Sequence, residues 1–294
     1  MALVEVNFYA KTLERTVTFN AIIPTDKSLF SSGQEEKSGA STEGLKTLYL
    51  LHGGLGNYTD WLGGTRIQMW AQEKNLAVIM PSGDNRWWID DLEGSPMAGN
   101  YGRFVGEELV DFTRRTFPLS HRRDDTFIAG LSMGGYGALV NGLRFSDTFS
   151  RIGVLSPGLL LGDLVPGYDE PQLESLDALM PGNRRMLERA FGDPADVLGS
   201  DRDYKGLIAR LKESGADIPG IFLASGVDDF VLTRTQDFHR FLERNAVEHH
   251  YEEGPGGHDW LFWDAFIKKI VDWLPLDEDA VDGRHSGNVM AEVA

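Results

Sequence analysis

Thr126-Phe127-Ile128-Ala129-Gly130-Leu131-Ser132-Met133-Gly134-Gly135-Tyr136-Gly137-Ala138-Leu139 decides how this 294-residue chain is read. The apolar run Phe127 to Ala129 reads as a buried strand, and small residues follow where a helix has to pack closely. Between them, Gly130-Leu131-Ser132-Met133-Gly134 has the form G-x-S-x-G, a turn that holds one serine in a strained conformation at the end of a strand with its hydroxyl exposed. Ser132 is the candidate nucleophile. Taken alone, the same letters fit a glycine-rich turn between any strand and any helix, so the flanking sequence has to decide.

Outward from that turn, buried strands and helices alternate. Lys46-Thr47-Leu48-Tyr49-Leu50-Leu51 is a continuous apolar strand that runs into His52-Gly53-Gly54-Leu55-Gly56-Asn57. A helix around 67–74 precedes the strand Leu76 to Met80, and Tyr101 to Phe117 carries apolar residues at helical spacing. Ile152 to Ser156 and Gly220 to Gly226 are further apolar strands, which right-handed crossovers would lay parallel to the Ser132 strand. This rhythm predicts an α/β fold, with a mostly parallel central sheet and helices on both faces. Segments 3–9 and 15–23 alternate apolar and polar residues, as half-exposed antiparallel strands at one edge do. A helix over 232–245, a strand over 248–252 and a helix over 260–273 close the fold. One domain is expected over 1–276, with a flexible polar loop at 25–44, a loop-rich, lid-like insertion at 157–205 and a disordered tail at 277–294.

Composition narrows the chemistry. A net charge of −17 is repelled by nucleic acid and by anionic membrane surfaces, so neither is expected as a partner. No apolar run approaches the roughly 18 residues that span a bilayer. With no cysteine, covalent catalysis falls to Ser, Thr, Lys or a carboxylate, and thiolate metal sites are excluded. No cofactor or metal is called for. The N-terminal segment lacks a basic region followed by a long apolar core, which makes the cytoplasm the expected location. A homo-oligomer is left open.

A serine hydroxyl needs a base, and the base needs an orienting carboxylate. Among the histidines after Ser132, only His258 stands in a glycine-rich turn between a strand and a helix, in Gly256-Gly257-His258-Asp259-Trp260. The carboxylate is expected just past the preceding strand, where Ser225-Gly226-Val227-Asp228-Asp229-Phe230 offers two aspartates. An oxyanion would be met by the Met133 amide and by an amide of the His52-Gly53-Gly54 turn, assigned to Gly54 with Leu55 as the alternative. His52 itself reads as a packed structural residue.

Together, Leu50 to Asn57, Phe127 to Gly137, Gly226 to Phe230 and Gly257 to Trp260 resemble the putative-esterase family, which includes tributyrin esterases, esterase D (S-formylglutathione hydrolase) and acetyl and feruloyl esterases. The resemblance spans roughly 3–275 and is strongest with the tributyrin esterase branch. It implies an α/β-hydrolase fold and a serine carboxylesterase acting on short acyl esters, a small-molecule substrate. In the family's G-x-x-D-F pattern the last acidic position is catalytic, which selects Asp229 over Asp228. Gly54 stands where tributyrin esterases carry methionine, and the Ser31 to Ser41 region and the tail look like additions. Thioester hydrolysis of the S-formylglutathione type and deacylation of acetylated or feruloylated carbohydrate use the same constellation. An inactive binding protein of the same fold is the non-enzyme alternative. Leu159 and Leu160, with Trp87 and Trp88, are expected to wall the acyl pocket, Leu55 to border it, and the competing reading is that the leucines anchor a surface helix.

Overall fold

A computed structural model describes residues 1–24, 44–91, 99–170, 187 and 190–276. The strands are β1 (Ala2–Ala10), β2 (Arg15–Ile23), β3 (Thr47–Leu51), β4 (Ala77–Pro81), β5 (Thr126–Leu131), β6 (Arg151–Leu155), β7 (Gly220–Gly226) and β8 (His249–Gly254). They form one sheet in the order β1-β2-β4-β3-β5-β6-β7-β8. Pairing is antiparallel from β1 through β2 to β4 and parallel from β4 onward. The register brings Leu51 opposite Gly130, Leu131 opposite Leu155 and Leu155 opposite Ala224. The loops that leave β3, β5, β6 and β7 therefore emerge together at the carboxyl edge of the sheet, where open parallel sheets place their ligands.

Side-chain alternation sorts the strands into two cores. Tyr49, Leu51, Ile128, Ile152 and Leu223 face one side, against α4 (Leu109–Thr116), α5 (Met133–Arg144) and α8 (Leu232–Arg244). Leu48, Leu50, Phe127, Ala129 and Phe222 face the other, against α2 (Ile67–Glu73) and α9 (Trp260–Trp273). This is the two-faced α/β arrangement expected from the apolar runs. Further helices among the described residues are α1 (Asp60–Gly64), α3 (Tyr101–Arg103), α6 (Leu161–Leu164) and α7 (Tyr204–Ser214).

Three elements differ from the sequence reading. β1 alternates exposure along its length, but β2 is buried from Phe19 onward because it pairs with β4 as well as β1. The helix from Tyr101 contains a π turn over Phe104–Glu108, which sets Gly106 against the Phe145 ring. α7 lies where no helix was read; Asp203 caps its start by accepting from the Gly206 amide, and Gly215 ends it at φ 69°. Apart from Gly44, the expected 25–44 loop and the 277–294 tail fall outside the described residues, as do 171–186 within the insertion.

Ile270 on α9 is fully buried and lies against Gly153 of β6. Ile270→Ala should cost about 2–5 kcal/mol. Urea unfolding is expected to show a lower midpoint with an unchanged slope.

Candidate active site

Ser132 occupies the break between β5 and α5 with φ 52° and ψ −118°. A serine there is strained, and the surrounding bonds hold it: its amide donates to the Leu155 carbonyl at 2.9 Å, and its carbonyl accepts from Tyr136 at 3.0 Å and from Gly158 at 2.9 Å. Gly130 and Gly134 are required by close approach, since a Cβ on Gly130 would lie 2.2 Å from the Gly134 carbonyl oxygen. The hydroxyl thus projects from the carboxyl edge of the sheet.

His258 follows β8 in a loop laced to the loop after β7. Val227 donates to the Gly254 carbonyl at 2.9 Å and Asp228 to the Gly256 carbonyl at 3.0 Å. This lacing sets His258 Nε2 2.9 Å from Ser132 Oγ, and Nδ1 3.0 and 3.1 Å from the two carboxylate oxygens of Asp229. With Nδ1–H donating to Asp229, Nε2 is the lone-pair nitrogen and accepts the Ser132 hydroxyl. Such an imidazole can take a proton from serine and keep the resulting charge beside a carboxylate. Phe230 and Trp263 pack on the ring at 4.6 and 5.0 Å between centroids.

Asp229 is buried, whereas Asp228 is exposed and only its main chain is tied into the loop. Burial pushes the Asp229 carboxyl up, but His258, the Val231 amide and the Ser156 hydroxyl outweigh it, so its pKa falls below the ordinary carboxylate value. Ser156 is fully buried with φ 43°, and its Oγ accepts from Trp263 Nε1 at 3.1 Å. Ser156 and Trp263 were not singled out in the sequence. Their only local signal is a polar residue closing an apolar strand before Pro157, and a tryptophan in the first turn of the helix that Asp259 caps.

On the opposite side, His52 is fully buried. Its Nε2 accepts from the Gly83 amide at 2.8 Å, so the proton sits on Nδ1, 2.7 Å from the Gly53 carbonyl. Burial lowers the His52 pKa against the Gly53 carbonyl and Asp60, which raise it. His52 therefore serves as a neutral brace. The Leu55 amide donates to Asn85 Oδ1, while the Gly54 amide has no such partner among the described residues and the space beside its Cα is open. Met133, first residue of α5, presents an amide with no carbonyl ahead of it in the helix.

The other expected site residues are distributed unevenly. Leu55 is 88% exposed at φ 64°. Trp88 is fully buried, its ring against Gly83 and Gly137 and its Nε1 donating to the His52 carbonyl at 3.2 Å. Trp87 is nearly buried, beside Gly158 and packed on Tyr136 and Phe191. Leu159 and Leu160 are buried within the same core cluster. Of the other histidines, His239 and His249 bond to each other at 2.8 Å away from Ser132, and His285 lies outside the described residues. Among the described residues no group of histidines and carboxylates is placed to hold a metal, and no helix is long and apolar enough to cross a membrane.

A mixed sheet of this order, carrying a serine turn after β5 and a histidine after β8, defines an α/β-hydrolase. Comparison with known proteins gives the family. The model of the family described as Putative esterase matches residues 34–177. An acetyl esterase of Caldicellulosiruptor saccharolyticus is 40% identical over 279 residues, covering 95% of this chain and 100% of the relative. The structure of S-formylglutathione hydrolase from Staphylococcus aureus is similar with a TM-score of 0.75 at 31% identity, covering 93% of this chain and 98% of that one. A fluorophosphonate-binding serine hydrolase of the same organism aligns with a TM-score of 0.73 at 29% identity, over 94% of this chain and 99% of that one. The chain belongs to the Putative esterase family.

The depressed Asp229 pKa has a stability consequence. Its folded-state value lies below the unfolded one of about 3.9, so the contribution is complete above that pH and is lost as pH falls through the folded value. Urea midpoints followed from about pH 5 to about pH 2 should decline less steeply in Asp229→Asn than in the parent. Parallel declines would show that Asp229 carries no such linkage.

Proposed function

We propose that the chain is a serine carboxylesterase for short acyl esters, with Ser132 as nucleophile, His258 as general base and acid, and Asp229 as the orienting carboxylate. The observation that carries this reading is the unbroken line from Ser132 Oγ to His258 Nε2 at 2.9 Å and from His258 Nδ1 to Asp229 at 3.0 Å. Ser132 Oγ attacks the ester carbonyl carbon as its proton passes to His258 Nε2, and the carbonyl oxygen becomes an oxyanion. Collapse breaks the bond to the leaving group, which departs with the proton from His258. Water, deprotonated by the same imidazole, then releases the acid and restores Ser132.

The Gly54 and Met133 amides are assigned to the oxyanion. Support comes from the commitment of the neighbouring Leu55 amide to Asn85, while the Gly54 amide has no partner among the described residues. Short acyl chains are favoured because the Trp87 ring closes the space beside Gly158, whose amide is bonded to the Ser132 carbonyl. A thioester leaving group of the S-formylglutathione kind is the second reading, supported by the likeness to the Staphylococcus aureus hydrolase of that name.

Labelling by a fluorophosphonate, with loss of label in Ser132→Ala, tests the nucleophile. Asp229→Asn should lower turnover on the order of 10⁴-fold, because the imidazole is no longer held in the productive tautomer, while Asp228→Asn stays near the parent. The reverse ranking would remove Asp229 from its role.

Acyl length supplies a separate test. With p-nitrophenyl esters, kcat/KM is expected to rise from acetate to about butyrate, each buried methylene contributing about 0.8 kcal/mol, and then to fall steeply. A rate still climbing at ten or twelve carbons, roughly three times butyrate's length, would mean an open groove instead of a closed pocket. Running S-formylglutathione beside the oxygen esters decides between the two leaving groups.

A further inference from the structure

Arg234, in the first turn of α8 and on the same loop-to-helix segment as Asp229, is fully buried and takes no part in the line of bonds to Ser132. Its guanidinium reaches away from its own helix. Nη1 donates to the Leu159 carbonyl and, at 3.2 Å, to Glu170 Oε2; Nη2 donates to Asp163 Oδ2 at 2.6 Å. Its Nε is buried without a hydrogen-bond partner among the described residues. Glu170 is buried as well, accepting from the Gly162 amide at 2.6 Å and from the Tyr204 hydroxyl of α7.

One guanidinium therefore holds the start, the middle and the end of segment 159–170. That segment begins at the nucleophile, where the Gly158 amide donates to the Ser132 carbonyl at 2.9 Å and a Cβ on Gly158 would lie 2.9 Å from the Trp87 ring. A buried ion cluster adds little net stability over apolar packing of the same volume, but the planar fork of arginine fixes the direction of every acceptor it meets.

We propose that Arg234 is the positioning residue that fixes the acyl-side wall, residues 158–170, and so sets the longest acyl chain that reaches Ser132. The inference rests on the serine-esterase reading. It makes selectivity depend on a side chain that does not touch substrate.

The test measures kcat/KM on p-nitrophenyl acetate, butyrate and octanoate for the full chain and for Arg234→Met, Arg234→Lys and Asp163→Asn. Each preparation is normalised by fluorophosphonate titration of Ser132. The octanoate-to-acetate ratio should rise at least about fivefold in Arg234→Met, through a lower KM for the longer ester, and less in Arg234→Lys, which keeps the charge but not the fork. Asp163→Asn should shift the ratio in the same direction. Should Arg234→Met fail to fold, the lysine variant and Asp163→Asn, whose carboxylate is partly exposed, decide the matter. Ratios within about twofold of the parent in folded, titratable variants would overturn the proposal and leave Arg234 a packing residue. A parent that is not labelled at Ser132 would instead overturn the esterase reading beneath it.

Discussion

A Cβ on Gly134 would stand 2.4 Å from the carbonyl oxygens of both Leu51 and His52, so α5 meets the end of β3 at a distance only glycine permits. That approach brings the amino end of α5 against the end of β3 and the start of the turn that follows it. The left-handed conformation of Ser132 follows from it, because the chain must reverse from strand to helix within one residue. What stabilises the reversal is not local. The Ser132 amide is bonded to Leu155 of β6 and its carbonyl to Gly158 beyond β6, so the strain is balanced by sheet pairing.

The same dependence on register extends through the acid side. Trp263 of α9 donates to Ser156 after β6, Asp229 after β7 sits beside that hydroxyl and His258, and His258 after β8 reaches Ser132 after β5. Each link joins two different elements. A shift of one strand by one residue would turn its side chains to the opposite face and break the line at two places. The geometry is thus a property of the sheet, while the residue types alone supply the chemistry.

Most of the sheet, Ser132 and His258 are legible in the sequence because they depend on short-range patterns, unbroken apolar runs and glycine around Ser132 and His258, whereas Asp229 is separated from Asp228 only by the family resemblance. Long-range partners are not legible. β2 looks half-exposed in Thr16-Val17-Thr18-Phe19-Asn20-Ala21, yet Asn20 is buried because its amide donates to the Tyr58 carbonyl at 3.1 Å. Trp88 reads as a cleft residue from its place after β4, but the gap left by Gly83 and Gly137 takes its ring inward. Arg234 looks like any charged helix position, since the carboxylates that bury it stand in a segment far back in the chain. α7 was legible in Asp203 and Gly215, and was missed because the irregular region before it masked its start.

The two sides of Ser132 are built from different materials. Around the turn after β3 the braces are neutral, His52 and Trp88, and the loops after β3 and β4 carry non-glycine residues at positive φ: Leu55, Asp84, Asn85, Trp87 and Trp88. Neutral hydrogen bonds of this kind depend less on charge state than ion pairs do. In segment 159–170 the braces are ionic, with Arg234 set between Asp163 and Glu170. Removing one partner from such a cluster leaves a buried charge unmatched, so the segment either stays where the fork puts it or gives way at considerable cost.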